Sequence, residues 1–344
     1  LHSNAFRRLA HKTQVFFLSN NQDHFRNRLT HSLEVSQIAR SISSIMQLDE
    51  ALTEAISLAH DLGHPPFGHI GEGILNDILL KIGNNGFNHN IQTLRIITKL
   101  EQKYGAFDGL NLTYETLEGV LKHGGPVVKS DYFYYQKFQS NYNINLTTQS
   151  SLEAQIAAIS DDIAYNCHDI DDGIRANLFT LDDLTEIDLI RKHIDKIKSD
   201  YPNIETSRLA HELKRNLINS FILDIVEESS KNLDINKIKN HHDVINYKST
   251  IISLSNYMTE QIFNIRTFLS ANMYQSKLIT DHSNYTEEVI EGLFFFYKEN
   301  LNKLPLKLDS SKECPKNINR IICDFISGMT DNYADEQYRE LLKK

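Results

Sequence analysis

The sequence predicts an all-α fold. Helical periodicity is its dominant pattern, because apolar residues recur every three or four positions over long stretches, as they do along residues 30–48. Proline and glycine, the residues that most often end helices, number only 6 and 14 among 344 residues. Hydrophobic residues make up 40% of the chain, which is enough for a large buried core. Together these features favour long helices joined by short connections.

The predicted helices follow one another along the chain. We place them at residues 30–48, 49–61, 70–82, 90–104, 113–123 and 152–172, with four or five further amphipathic helices within 182–342 and a short hairpin at 243–248. Residues 63–69 must interrupt the helices, because they contain two prolines and two glycines. No linker marks a boundary, so we predict a single helical unit over residues 1–344.

Charge and cysteine usage narrow the functional classes. The formal net charge of −9 argues against broad, non-specific binding of polyanions, but it allows a local basic pocket for a small phosphate ligand. The three cysteines, Cys167, Cys314 and Cys323, are odd in number and form no CxxC motif, which favours a reducing cytoplasm over a disulfide framework. No apolar run approaches the roughly 20 residues of a membrane span, so we expect no membrane association. The chain begins at Leu1, and we expect the natural N-terminus to lie upstream.

The distribution of histidines points to a metal site. Five of the 15 histidines fall within residues 31–89, at His31, His60, His64, His69 and His89. The adjacent pair of His60 and Asp61 is the most informative, because neighbouring residues on a helix point about 100° apart and can share an ion only near a helix end. Gly63 and Pro65 place such an end directly after the pair.

Two further residues complete a candidate ligand set. His31 begins one predicted helix and His60 ends the next, so the two would meet if these helices are antiparallel. Asp161 interrupts an otherwise apolar helix face, and a bound metal would explain a carboxylate there. Imidazoles and carboxylates together suit a borderline or hard divalent ion. Each residue alone also has an ordinary explanation, as a partly buried histidine, a capped helix end or a solvated turn.

Three stretches of the sequence resemble signature segments of one known family. They are RLTHSLEVSQIAR at residues 28–40, AHDLGHPPFGHIGE at 59–72 and DDIAYNCHD at 161–169, with weaker matches at 6–14, 86–90, 111–119 and 328–334. The family is that of deoxyguanosinetriphosphate triphosphohydrolase-like proteins, within the HD-domain superfamily. The resemblance implies an HD-domain helical fold, with the HD core at 28–175 and a helical C-terminal region at 176–344.

The resemblance also implies an activity and a metal. The expected reaction is hydrolysis of a deoxynucleoside triphosphate, dGTP included, at the α-phosphate, giving deoxynucleoside and triphosphate. By position, four residues resemble the ligands of one divalent ion per site: His31, His60, Asp61 and Asp161. Mn²⁺ or Mg²⁺ is favoured, and Fe, Co, Ni and Zn stay open.

Further site residues follow from the same resemblance. His69 and Glu72 resemble a catalytic pair, and their i and i+3 spacing puts both on one face of a helix. His64 and His89 resemble residues on the phosphate side of that pair. The remaining matches are to substrate contacts: Gln14 and Arg28 for sugar and phosphate, and Tyr165 and Asp169 for the deoxyribose. The chain departs from the family pattern at Asn88, where glutamate is frequent, and at Cys167, within a run that is otherwise Asn-Asn-His.

Partners and alternatives remain open at this stage. The resemblance implies a deoxynucleoside triphosphate substrate, a nucleotide activator and a homo-oligomer between dimer and hexamer, and it leaves single-stranded DNA binding open. One alternative is an HD phosphohydrolase acting on a nucleoside monophosphate, a cyclic nucleotide or guanosine tetraphosphate. Another is a weakly catalytic protein that senses nucleotides or binds single-stranded DNA. The first alternative would not need the segment from Asp161 to Asp169 that carries Tyr165, and an assay for triphosphate release from each deoxynucleoside triphosphate distinguishes the second.

Overall fold

Helices account for the regular structure of the chain. The computed structural model describes residues 1–14, 26–127, 135, 138–139, 141–304 and 318–343. Fourteen α-helices and no β-strand lie within these residues, and this confirms the all-α prediction. Among the helices described, none combines the length and the apolar character that crossing a membrane requires.

The N-terminal half supplies seven of these helices. They are α1 (Asn4–Arg8), α2 (Arg28–Ile45), α3 (Glu50–Ala59), α4 (Gly68–Lys81), α5 (His89–Arg95), α6 (Tyr114–Leu121) and α7 (Leu152–Arg175). Helix α2 begins two residues before its predicted start, because the Asn27 side chain accepts a hydrogen bond from the Thr30 N–H and caps it. Helix α5 stops short of the predicted residue 104 and continues as a π-helical turn over Ile96–Leu100.

The C-terminal half supplies the other seven, more than the four or five predicted. They are α8 (Asp188–Asp200), α9 (Thr206–Ile235), α10 (His241–Ile245), α11 (Asn256–Leu269), α12 (Lys277–Glu299), α13 (Ile318–Ser327) and α14 (Asp331–Leu342). A π-helical turn over Ser270–Tyr274 follows α11.

The hairpin predicted at residues 243–248 is wrong. Helix α10 occupies the first half of that segment, because the Asn240 side chain caps it by accepting from the Asp243 N–H at 3.1 Å. Asp243 in turn accepts from the backbone N–H of Lys239 at 2.9 Å. Such local side-chain bonds stabilise a helix start where the polar composition had suggested a turn.

The packing of α2, α3 and α7 brings together the three segments that carry His31, His60 and Asp161. The short connection between α2 and α3 makes them antiparallel neighbours, and the His31 and His60 rings at their open ends are 5.9 Å apart. Helix α7 is buried on two sides. Its Ile156 and Ile163 belong to the same apolar cluster as Ile38 of α2, and its Ala157 packs in the cluster of Ile56 of α3.

Two positions in the segment between α3 and α4 depend on glycine. A Cβ on Gly63 would lie 2.1 Å from the carbonyl oxygen of His89, so the start of α5 can pack directly on this segment. Phe67 and Gly68 both have positive φ, at 62° and 60°, which turns the chain sharply into α4. This turn sets the position of the first residues of α4.

The cysteines that the structure describes are free thiols, as expected from their sparse distribution in the sequence. Cys167 and Cys323 are buried and free, and Cys314 lies outside the described residues. Burial raises the pKa of both described thiols to about 12, so neither is a ready nucleophile.

Candidate active site and metal centre

Three predicted metal ligands converge where α2, α3 and α7 meet. His31 Nε2 lies 2.8 Å from Asp161 Oδ1, and His60 Nε2 lies 3.5 Å from the same oxygen. The candidate ligand atoms of these three residues all lie within 4.8 Å of one another. His31 and His60 are almost fully buried, whereas the Asp161 side chain is 28% exposed, so the group of nitrogen and oxygen donors is open to solvent on the Asp161 side.

Contacts behind the two histidines turn their Nε2 atoms toward Asp161. His60 Nδ1 is 2.6 Å from the carbonyl oxygen of Ser57, which can only accept, so Nδ1 carries the proton. His31 Nδ1 lies 3.2 Å from Nδ1 of His168. Metal-binding histidines commonly donate their second nitrogen in this way. His60 Nε2 is buried and makes no hydrogen bond within the described residues, which fits a cation as its missing neighbour.

The electrostatics of the group also favour a cation. Burial lowers the pKa of His60, but Asp61 and Asp161 outweigh it and raise that pKa to about 9. Burial opposes ionisation of Asp161, yet the surrounding histidines, His60 first, hold its pKa well below the usual range. Protons and metal ions compete for the same nitrogen, so a pocket that draws a proton to His60 is also suited to a divalent ion.

Asp61 occupies a different place from the other three predicted ligands. Its Oδ1 lies 3.5 Å from His60 Nε2 and 2.9 Å from His64 Nδ1, and its Oδ2 accepts from Arg28 Nη1 at 2.9 Å. Burial raises the pKa of Asp61, but Arg28, His64 and His60 together keep it well below the usual value. Asp61 therefore links the converging ligand group to the guanidinium of Arg28.

His123 joins the group although sequence reasoning missed it. Its Nε2 lies 3.3 Å from Asp161 Oδ2, and its ring stacks on that of His60 with centroids 5.0 Å apart. It lies just beyond the end of α6, before Gly124 and Gly125. The available signal was a histidine close to a helix end that glycines mark, a feature that His123 shares with His60 although it has no adjacent aspartate.

Glu72, in the first turns of α4, connects two histidines. Its Oε1 accepts from the backbone N–H of His89 and lies 2.8 Å from His89 Nδ1, and its Oε2 lies 3.3 Å from His69 Nδ1. Burial raises the pKa of Glu72, but the hydrogen bonds from His69 and His89 outweigh it and keep the carboxyl ionised. The predicted pair of His69 and Glu72 is thus a trio in which His89 makes the shorter contact.

The histidines around Glu72 form one cluster. The His64 and His89 rings stack with centroids 3.9 Å apart, and the His64 and His69 rings meet edge to face at 5.1 Å. The side chain of His69 is 58% exposed, whereas His64 is buried. Burial, together with Arg28, lowers the pKa of His64, so this imidazole is neutral. His69 is the most exposed imidazole of this cluster.

Arg28 is a buried cation with unused donors. It is 1% exposed, and its Nε and Nη2 make no hydrogen bond within the described residues. Gly68 leaves room for it, since a Cβ there would lie 3.0 Å from Nη2. Gln14 is also buried, with a side-chain oxygen that makes no hydrogen bond in the described chain. Unused buried donors are costly, and an anionic ligand would satisfy those of Arg28.

Two tyrosines and an aspartate, Tyr165, Tyr274 and Asp169, form a further group of neighbouring side chains. Asp169 Oδ2 accepts a short hydrogen bond from the Tyr274 hydroxyl, while its buried Oδ1 makes none within the described residues. Burial raises the pKa of Asp169 to about 7. The rings of Tyr165 and Tyr274 lie 6.5 Å apart. Sequence reasoning missed Tyr274, which ends a π-helical turn that a 3.6-residue period does not predict.

Asp331, at the start of α14, holds the segments that carry Gln14 and His69. Its Oδ1 accepts from the Phe67 N–H at 2.9 Å, and its Oδ2 accepts from the Thr13 N–H at 2.8 Å. The side chain is 2% exposed. One carboxylate thus fixes both the N-terminal segment and the turn that leads into α4.

Lys12 also connects the N-terminal segment to the segment between α3 and α4 and to the C-terminal helices. Its Nζ donates to the carbonyl oxygens of His64 at 2.5 Å and Ser327 at 2.7 Å. Burial, followed by the nearby Arg8, lowers the pKa of Lys12 to about 7. The segment between α3 and α4 is therefore fastened to the end of α13 as well as to α14.

Comparison with known proteins identifies the family. Deoxyguanosinetriphosphate triphosphohydrolase-like proteins of Rickettsia bellii and Bartonella tribocorum are 43% and 44% identical to this chain over 99% of its length and 89% and 86% of theirs. The chain belongs to this family. Residues 28–166 match the model of the HD domain, and residues 252–340 match that of a phosphohydrolase-associated domain. The resemblance noted in the sequence is confirmed, and the chain is an HD-domain phosphohydrolase.

Both matched regions of this HD-domain phosphohydrolase contribute residues to the groups described above. His31, His60, Asp61 and Asp161 all come from the HD region. Tyr274 and Asp331 come from the phosphohydrolase-associated region, the first bonded to Asp169 and the second to Phe67. The associated region therefore contacts segments that carry candidate site residues.

Proposed function

We propose that the protein hydrolyses deoxynucleoside triphosphates, dGTP among them, at the α-phosphate and releases deoxynucleoside and intact triphosphate. The observation that carries the proposal is the position of Arg28. Its buried guanidinium is bonded to Asp61, which lies beside His60, and it keeps two nitrogens free for phosphate. The proposed metal and phosphate subsites would therefore adjoin one side chain.

The proposed metal site uses the four residues predicted from the sequence. His31, His60 and Asp161 converge, and Asp61 would join them from its position beside His60. This mixed set of imidazoles and carboxylates suits Mn²⁺ or Mg²⁺ and also accepts Fe, Co, Ni or Zn. When bound, a divalent ion neutralises charge on the phosphate and lowers the pKa of water.

Side chains around Glu72 would supply the proton that the leaving group needs. In the proposed hydrolysis a hydroxide ion bonds to the α-phosphorus, the bond from this phosphorus to the 5′ oxygen breaks, and the 5′ oxygen must gain a proton as it leaves. His69 is the exposed imidazole, and Glu72 holds its Nδ1 so that Nε2 is directed away from the carboxylate. We assign His69 as the general acid. Arg28, with donors suited to bidentate contact, would hold the phosphate oxygens beside His64 and His89.

The sugar would lie beside Tyr165, Asp169 and Tyr274. The free Oδ1 of Asp169 can accept a hydrogen bond from the 3′-hydroxyl, and Gln14 offers a second polar contact. The ring of Tyr165, partly buried and close to Tyr274, would occupy the space that a 2′-hydroxyl needs.

Replacing Tyr165 by alanine is expected to relax selection against ribonucleotides. Because the ring would exclude the 2′-hydroxyl by contact, the ratio of kcat/KM for dGTP over that for GTP should fall by about 10- to 100-fold, the usual size of such steric discrimination. Steady-state kinetics with both nucleotides measure it. Tyr165→Phe is the matched control, which keeps the ring and should keep the ratio. An unchanged ratio in Tyr165→Ala would remove this residue from sugar selection.

Replacing Asp331 by alanine is expected to slow turnover, although Asp331 is not a proposed contact of the metal or the substrate. Two buried N–H groups, those of Phe67 and Thr13, would lose their acceptor, at about 1–3 kcal/mol each. A displaced turn before α4 misplaces His69, and a misplacement of about 1 Å can cost 10²-fold in rate. Both Tm and kcat should fall. Asp335→Ala, on the same helix but bonded to Tyr285, should lower Tm alone. Equal kcat in the two variants would contradict the role of Asp331.

The proposed reaction is tested by identifying the products. The protein is incubated with Mn²⁺ or Mg²⁺ and each of the four deoxynucleoside triphosphates, singly and mixed, and inorganic triphosphate and deoxynucleoside are quantified. We expect both products in equal amounts, and none from His60→Ala. Release of orthophosphate or pyrophosphate instead would indicate a different phosphohydrolase. Binding without any product under all conditions would favour a nucleotide-sensing or single-strand-binding protein.

Assembly and activation belong to the same proposal. We expect a homo-oligomer between dimer and hexamer, which size-exclusion chromatography with light scattering measures. We also expect one nucleotide to stimulate hydrolysis of another, so activity in the mixture should exceed the sum of the single-nucleotide activities.

A further inference from the structure

We propose that Thr93 is a positioning residue of the metal site, because its hydroxyl fixes the backbone at the end of α3, where His60 and Asp61 lie. The inference rests on the proposed metal site. Thr93 lies on α5, about one turn after His89, and no role had been predicted for it. The same hydroxyl would also set the distance between the proposed metal ligands and the histidine cluster around Glu72.

The Thr93 hydroxyl makes two hydrogen bonds to the backbone that follows α3. Its Oγ1 accepts from the Gly63 N–H at 2.9 Å and donates to the carbonyl oxygen of His60 at 3.0 Å. The side chain is fully buried. A backbone amide can only donate and a carbonyl can only accept, so the direction of both bonds is fixed and involves no titrating group.

These two bonds take the place of bonds that a continuing helix would make. In an α-helix each N–H donates to the carbonyl four residues earlier, so the His60 carbonyl would accept from the His64 N–H. Here that carbonyl accepts from Thr93 instead, and the His64 N–H donates to the Asp61 carbonyl at 3.2 Å. The Gly63 N–H likewise leaves the helical pattern and donates to the hydroxyl. Thr93 therefore satisfies backbone groups that a helix end leaves without partners.

His60 is held both at its ring and at its backbone. Its Nδ1 lies 2.6 Å from the carbonyl oxygen of Ser57, within α3, whereas its own carbonyl is bonded to Thr93 of α5. The first contact orients the ring relative to its own helix. The second fixes the end of that helix relative to α5. Without the second contact, the ring would keep its orientation but would shift together with the end of α3.

The same contact connects the end of α3 to the start of α5. Gly63 packs so closely against the first turn of α5 that a Cβ there would lie 2.1 Å from the carbonyl oxygen of His89 and 2.7 Å from Thr93 Oγ1. His89 begins that turn, and its Nδ1 lies 2.8 Å from Glu72 Oε1. Thr93 therefore joins the backbone of the proposed metal ligands to the helix that carries one histidine of the cluster.

Three substitutions test the role of the hydroxyl. Thr93→Val keeps the size and branching of the side chain, but it leaves the Gly63 N–H and the His60 carbonyl without partners. Thr93→Ser keeps the hydroxyl and should restore both bonds. Thr53→Val is the matched control, because Thr53 is a fully buried threonine of α3 whose hydroxyl donates to the carbonyl oxygen of Asp49 at 2.9 Å, at the opposite end of that helix.

The experiment measures the Mn²⁺ affinity of the full chain by calorimetry, kcat for dGTP at saturating Mn²⁺, and Tm. We expect Thr93→Val to bind Mn²⁺ about 10- to 100-fold more weakly, as is typical when an outer contact of a metal site is lost. Its kcat should fall by about 10²-fold, the effect of a displacement of about 1 Å. Thr93→Ser should recover most of both. Thr53→Val should lower Tm and keep wild-type Mn²⁺ affinity and kcat.

The Mn²⁺ affinity decides the inference, because a loss of stability alone would not change it in a folded variant. If Thr93→Val does not fold, Thr93→Ala decides, since it removes the same hydroxyl. Wild-type affinity in the folded variant, while His60→Ala does not bind, would overturn the inference and spare the metal site. Equal weakening in Thr93→Ser or in Thr53→Val would also overturn it. Weaker binding with wild-type kcat would contradict the link to the histidine cluster, and wild-type affinity in His60→Ala would reject the metal site itself.

Discussion

Asparagine at position 161 is expected to abolish tight binding of a divalent ion and to lower turnover by on the order of 10³-fold. The carboxylate is the element that three histidines share, with Oδ1 next to His31 and His60 and Oδ2 next to His123. The amide would turn an N–H group toward lone pairs and remove the charge that offsets a dication. Stabilisation of transition-state charge by a metal is worth several kcal/mol, and about 4 kcal/mol corresponds to 10³-fold.

The neighbouring residue provides the control for this substitution. Asp162 follows Asp161 on α7, but its side chain is 61% exposed and pairs with Arg266 at 3.0 Å. Asp162→Asn should bind Mn²⁺ and turn over substrate as the wild type does. Calorimetry and triphosphate release at saturating Mn²⁺ test both variants. Full activity of Asp161→Asn under these conditions would reject Asp161 as a ligand.

Alanine at position 69 is expected to lower kcat by about 10²- to 10⁴-fold, the usual contribution of a general acid. Because the His69 side chain is 58% exposed, Tm and Mn²⁺ affinity should remain at wild-type values. The loss should depend on the leaving group. A 5′-alkoxide needs a proton to depart, whereas the p-nitrophenolate released from bis(p-nitrophenyl) phosphate does not.

Comparison of the two substrates identifies which histidine supplies the proton. His69→Ala should lose activity on dGTP and keep most of its activity on bis(p-nitrophenyl) phosphate. His89→Ala tests the rival, since His89 lies closer to Glu72. It should lose activity on both substrates alike if it only holds phosphate and Glu72. If His89→Ala instead loses activity only on dGTP, and His69→Ala loses activity equally on both substrates, then His89 is the general acid and His69 holds phosphate.

The meeting of His31 and His60 could be predicted from the sequence because it depends on local rules. Two amphipathic helices with a short connection pack antiparallel, and their open ends are then neighbours. Gly63, Pro65 and Pro66 fix the end of the second helix through backbone restrictions that hold in any protein. Asp161 could be added because a carboxylate on an apolar face needs a partner.

Other parts of the site could not be predicted from local rules. Tyr274 reaches Asp169 from a π-helical turn, which no regular period signals. Asp331 is a first-turn acid by its sequence context, and its bonds to Thr13 and Phe67 depend on how distant helices pack. His168 was noted only for the unusual residue before it, since its contact with Nδ1 of His31 depends on how α7 packs against α2.

The bond from Phe67 to Asp331 spans 264 residues, and this has a consequence for synthesis of the chain. A ribosome adding about 5–20 residues per second produces Asp331 roughly 13 to 53 s after Phe67. During that interval the turn before α4 lacks the acceptor that fixes it, even if the metal ligands upstream have already met. If the proposed function is correct, we expect nascent chains to form the proposed metal site first and to reach full nucleotide turnover only after the C-terminal helices have been made.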